Sequence, residues 1–184
     1  MIVSTHGILA SSGGSAITND SGYLFKTTVS STTITGTTSN TLSYSNLISA
    51  NTMQVGDFFQ FTVNINRVGG IASGTARVYF NTSPSLIGAT QIMNYFISPS
   101  FPTIFFTEIV PIKTATETDI NINNAGNVTR DSTSTGVYPS TNIDWTVDQY
   151  FIISFQPSNV GDSFFVNGLF FNIANAYPLL FVLP

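Results

Sequence analysis

Glu117 and Asp119, one residue apart in "TETDI", have the first spacing in this 184-residue chain that could serve acid–base chemistry. On a strand, alternate residues share one face, and Glu108 is near enough in sequence to join them. Retaining hydrolysis of a glycoside needs two carboxyls about 5 Å apart across a sugar-sized cleft. No cleft is legible in the sequence and paired acids on a solvent face are commonplace, so glycosidase chemistry is not expected. Asp144 and Asp148 bracket "WTV", and Asp162 follows the next apolar run, so their oxygens could converge on calcium at a sheet end. Their spacing matches no calcium loop, and Asp near Thr or Asn at strand ends more often caps turns. Turn capping is the expected role, with no metal and no cofactor. The sole histidine, His6, lies in a Gly/Ser-rich leader well away from the carboxylates. A Ser–His–Asp system needs its base rigidly held, so the chain is read as a non-enzyme.

The only tryptophan, Trp145, sits between two of these acids. A single Trp beside a strand ordinarily fills core space, with its N–H satisfied by a carbonyl. The rival reading is a carbohydrate-binding module, in which Trp145 or the tyrosines Tyr44, Tyr79, Tyr95, Tyr138 and Tyr150 form an exposed stacking platform. The core reading is preferred, which makes Asn142 to Phe165 a turn, a Trp plug, a strand, a turn and another strand.

The elements that must position these residues are strands. Thr, Val, Ile, Phe and Tyr dominate while good helix formers are sparse. In "DFFQFTVNINRVGG", Phe59, Phe61, Val63 and Ile65 alternate with Phe58, Gln60, Thr62, Asn64 and Asn66, which predicts one buried and one mostly wet face. "GGIASG" reads as a hairpin loop into "TARVYFNT", with Ala76, Val78 and Phe80 as its inner row. Further strands are expected at Gln91–Ile97, Ile104–Ile112, Thr118–Asn123, Tyr150–Gln156 and Ser163–Ala174, the last bulged at Gly168. Weaker, Thr-rich strands are expected at Tyr23–Val29 and Thr32–Thr38. Eight or nine short antiparallel strands predict an all-β sandwich, most simply a jelly roll, over residues 23–184.

Charged residues are only 8% of the chain, against about 25% in typical soluble domains. With a net charge of only -4, such a chain resists association poorly and is read as a subunit of a larger assembly. Lys26, Arg67, Arg77, Lys113 and Arg130 are scattered, so nucleic acid is not an expected partner. No cysteine is present, which excludes disulfides and thiolate metal sites. No apolar run reaches the roughly 18 residues of a membrane helix, and "MIVSTHGILASSGGS" does not read as a secretory signal. The Asn-x-Ser/Thr triplets at Asn19, Asn81 and Asn127 read as accidents of a chain rich in those residues. Residues 1–22 are expected to be an extended anchoring segment, held on a partner through Ile2, Val3, His6, Gly7, Ile8 and Leu9. The apolar tail "AYPLLFVLP" predicts an oligomer contact through Tyr177, Leu179, Leu180 and Phe181.

Three segments carry a resemblance: "SANTMQVGDFFQFTVNINRVGGIASGTARVYFNTSPSLIGATQI", "PIKTATETDINI" and "NIDWTVDQYFIISFQPSNVGDSFF". Their order is similar to a module at the C-terminal ends of tailed-bacteriophage fibre and other virion proteins, over about residues 49–173. The leader "GILASSGG" resembles N-termini of structural proteins from phages of Bacteroidetes-type hosts. The resemblance implies a virion protein, usually trimeric, attached to capsid or tail and displaying a β-sandwich for host contact, where a surface glycan is one partner. It implies fold-defining roles for Asn51, Val55, Gly56, Asp57, Arg77, Asn81, Asp144, Trp145 and Asp148. No receptor residue transfers, because the displayed loops vary. Typical fibres carry a long shaft before this module, whereas about fifty residues precede it here, so a short knob or decoration protein is expected.

Overall fold

The computed structural model describes residues 23–27, 31–53, 55–69, 73–100, 103–114, 117–119 and 140–174. The expected anchoring segment 1–22, with Ile2, Val3, His6, Gly7, Ile8 and Leu9, lies outside the described residues, as do Tyr177, Leu179, Leu180 and Phe181. Within them the chain forms ten strands: β1 (Tyr23–Thr27), β2 (Thr41–Ile48), β3 (Phe58–Val68), β4 (Gly74–Asn81) and β5 (Thr90–Ile97) come first. They are followed by β6 (Thr103–Thr114), β7 (Glu117–Asp119), β8 (Ser140–Asn142), β9 (Gln149–Pro157) and β10 (Ser163–Ala174).

The strands make two antiparallel sheets, β1-β10-β3-β6-β7-β8 and β2-β9-β4-β5, packed as a sandwich. The pairings are nested in the chain: β4 with β5, β3 with β6, β2 with β9 and β1 with β10. Two further ladders, β10 on β3 and β9 on β4, join these pairs into sheets. β7 and β8 then widen the larger sheet beyond β6.

Alternation along the strands accounts for the core. On β3, Phe59, Phe61, Val63 and Ile65 are buried, and Ala76, Val78 and Phe80 on β4 meet them from the other sheet. Rings from the two sheets interlock: Phe59 on Phe80 at 5.6 Å, Phe61 on Phe151 at 5.2 Å and Tyr95 on Phe106 at 5.0 Å. Each such side chain contributes about 1.5–3 kcal/mol by leaving water, and edge-to-face or offset pairs add to that. On β10 the register shifts between Val166 and Gly168, the expected bulge.

Three expectations are corrected. The Thr-rich segment 32–38 is not a strand; it crosses between sheets and touches β10 only at the bridge Ile34↔Phe164. Thr propensity marked the wrong segment, and the strand lies just beyond it, at Thr41–Ile48. The 69–73 connection is not a hairpin loop, because β3 and β4 belong to opposite sheets. At the start of β4, Gly74 lies so close to the Phe164 ring that a Cβ would stand 2.6 Å from Cζ. Finally, the strand expected at Thr118–Asn123 is Glu117–Asp119 within the described residues.

Candidate functional site

The stretch around Trp145 folds as a corner. Asp144 Oδ1 accepts the Thr146 N–H at 2.9 Å and the Thr146 hydroxyl at 2.6 Å, closing a side-chain turn. The hydroxyl first, then the amide, hold the Asp144 carboxyl below its ordinary value. Asp148 Oδ1 accepts the Ala50 N–H at 2.8 Å, and Asn51, with φ 59°, donates its N–H to the Trp145 carbonyl. These bonds tie the turn before β9 to the turn after β2. They leave the Trp145 indole 3% exposed, against Phe80 at 5.0 Å and Phe59 at 5.8 Å. Buried Gln149 completes the corner by donating Nε2–H to the Asp144 carbonyl.

The other residues named from the resemblance have plain structural surroundings. Gly56 takes φ 90° and donates its N–H to the Ile112 carbonyl, the Ile112 N–H donates to the Asp57 carbonyl, and the Asp57 side chain is buried while Val55 is exposed. Arg77 lies on the outward register of β4, opposite Ser154 and Asn94. Asn81 donates Nδ2–H to the carbonyls of Ser85 and Ile87, so its amide is committed to folding the β4–β5 loop.

Asp162 does not meet Asp144 and Asp148. Asp144 and Asp148 precede β9 and Asp162 follows it, so nine residues at about 3.3 Å each separate them. Glu117 and Asp119 are placed on β7, in register with Asn142 and Ser140. Glu108 lies on β6 opposite Phe61, in the inward register. Among the described residues no three His, Cys, Asp or Glu side chains are grouped to hold a metal ion. Asp162 is 0% exposed and neither carboxylate oxygen has a hydrogen-bond partner. It belongs to a repeated triplet: Val55-Gly56-Asp57 and Val160-Gly161-Asp162 each lead into a strand, and those strands pair. That repetition was visible in the sequence and marks the two buried aspartates as strand-entrance devices.

Of the tyrosines named as a platform, two are inside the core. Tyr79 and Tyr95 are buried, and the Tyr79 hydroxyl accepts Asn40 Nδ2–H at 3.0 Å. Tyr44 lies in the inward register opposite Ile153, and burial pushes its pKa up to about 12. Tyr150 is half-buried, and Tyr138 lies outside the described residues.

What the fold does expose is the outer face of the larger sheet. The register sets five rows across β10, β3 and β6: Phe165–Asn66–Thr103, Gly168–Asn64–Phe105, Phe170–Thr62–Thr107, Asn172–Gln60–Ile109 and Ala174–Phe58–Pro111. A column of amides and hydroxyls on β3 therefore runs between two more apolar columns. Phe105 is 65% and Ile109 63% exposed, and Phe58 and Phe170 are also exposed. Thr62 and Thr107 share a hydroxyl–hydroxyl bond of 2.9 Å across the strands. A shallow depression of about 150 Å³ lies over Gln60, Thr62, Phe170 and Asn172. No Asp, Glu, Lys or Arg occupies any of these rows.

No protein-family model, curated protein or solved structure matches this chain.

Proposed function

We propose that this chain is a non-enzymatic structural subunit of a bacteriophage virion, a capsid- or tail-attached fibre or decoration protein. Its residues 1–22 dock on another virion protein, and its sandwich is presented outward as a homo-oligomer for contact with the host surface. The observation that carries the reading is a sandwich whose larger sheet has five outward rows across β10, β3 and β6 without a charged residue and with exposed apolar side chains, a surface suited to subunit packing and poorly suited to a free monomer. The nested strand pairs add support, since eight strands ordered β1-β10-β3-β6 against β2-β9-β4-β5 correspond to the jelly-roll pattern common in capsid proteins. The fibre-like segments supply the virion assignment, and many weak copies per particle would supply adhesion through multivalency.

Burial of Trp145 in the core counts against the carbohydrate-binding alternative. Mass spectrometry of gradient-purified particles tests the main reading: the chain is expected at many copies per particle, and its absence refutes the proposal. Deleting residues 2–14 is expected to abolish incorporation while the buried Trp145 keeps its native fluorescence; normal incorporation refutes the docking role.

A further inference from the structure

We propose that the outer face formed by β10, β3 and β6 is buried against a second copy of this chain. The inference rests on the subunit reading above and names the surface through which it operates.

Three observations point to a like partner. The first is where these strands keep their charge. Of the charged residues on these strands, the two whose side chains are described, Arg67 and Glu108, stand in the inward register opposite Phe164 and Phe61, and none stands in the five outward rows. Two lysines lie outside those rows: Lys26 on β1, in register with Phe170, and Lys113 on β6, beyond Pro111. A neutral face is matched without loss by another neutral face, whereas a charged partner would be desolvated against it with nothing to pair.

The second observation is composition. Exposed Phe and Ile flank a column of Gln60, Thr62, Asn64 and Asn66. Amides and hydroxyls both donate and accept, so a copy of the same column satisfies this one. Apolar columns at either side supply the area that water would otherwise cover.

The third is size. β3 has eleven residues, about 36 Å at 3.3 Å each, and three strands at about 4.8 Å give a flat patch of roughly 500 Å². Side-chain relief raises this toward the roughly 800 Å² per partner of a standard interface.

The test uses the full chain. Size exclusion with light scattering is expected to show a multiple of 19.8 kDa. Phe105→Glu with Ile109→Lys is expected to raise the concentration of half-dissociation by about thirtyfold or more. Both positions are solvent-facing in the single chain, so native Trp145 fluorescence and an unchanged far-UV circular dichroism spectrum certify the variant's fold. Because the chain lacks cysteine, Ile109→Cys introduces a lone thiol, expected to react slowly with a maleimide in the oligomer and rapidly once Phe105→Glu is added. An oligomer that ignores both substitutions overturns this face while leaving the subunit reading standing. A wild-type chain that stays monomeric at every concentration overturns the proposal and weakens that reading with it. A monomer whose thiol is shielded by a neutral oligosaccharide also overturns it, assigning the face to a glycan.

Discussion

Replacing Trp145 by alanine asks whether the corner before β9 is a plug or a platform. The indole is 3% exposed and lies edge-on to Phe80 at 5.0 Å and Phe59 at 5.8 Å, bridging strands of both sheets. Removing a large buried aromatic costs about 3–5 kcal/mol, because transfer energy is lost and a cavity remains. The ring contacts place this site near the upper half of that range, about 4 kcal/mol. With a urea dependence of about 2 kcal/mol per molar, the midpoint should fall by about 2 M. The measurement is urea unfolding followed by far-UV circular dichroism, since the variant lacks the fluorophore, at one protein concentration for both chains. Trp145→Phe should recover more than half of the loss by refilling the cavity. A midpoint shift below about 0.5 M for the alanine variant, outside what a buried aromatic permits, would place the indole at the surface and refute the plug.

Other perturbations probe separate parts of the fold. Gly74→Ala should destabilise by about 1–3 kcal/mol, because its Cβ would stand 2.6 Å from Phe164 Cζ and 3.2 Å from the Gln156 carbonyl; thermal melting measures this. Burial raises the Tyr44 pKa from 10.0 to about 12, so between those values the unfolded chain ionises first and the fold loses stability. Tyr44→Phe should therefore flatten the decline in urea midpoint measured between pH 10 and 12. The Asp144 carboxyl is held below 3.8 by the Thr146 hydroxyl and amide, so its contribution is complete above that pH and lost as pH falls through the depressed value. Asp144→Asn should remove that part of the acid dependence, read from melting temperatures in the acid range. Asp148→Ala leaves the Ala50 N–H without its 2.8 Å acceptor and should cost about 1 kcal/mol in urea unfolding.

Much of this molecule follows from short-range pattern. Alternation in Phe58–Val68 is enough to put Phe59, Phe61, Val63 and Ile65 inside, because successive side chains on a strand must point to opposite faces. The Asp144 turn is local as well, written in one side chain's reach, and the glycine at 168 marks the register shift in β10. Thr41–Ile48 escaped because its Ser and Asn residues dilute the alternation, while buried Ser43 is satisfied by the Thr32 carbonyl from outside the strand.

Sheet membership was not legible. "NRVGGIASGTARV" looks like a hairpin to any local rule, yet β3 and β4 separate because each finds better partners far along the chain, β10 and β9. β9 itself lies between Asp148 and Asp162, so these acids stand at opposite ends of one strand.

The outer face belongs to the same class. Ile104 to Ile112 is apolar in both registers, which resembles a strand covered on both sides. Only the folded sandwich shows that Ile104, Phe106, Val110 and Ile112 are covered while Phe105 and Ile109 are left in solvent. The sequence by itself determined strand character and which rows turn inward, since those depend on backbone geometry and neighbouring residues. Tertiary structure alone decided which strands are neighbours, where the acids lie and which apolar rows remain uncovered, because these depend on contacts across more than a hundred residues, as between Ser31 and Val166.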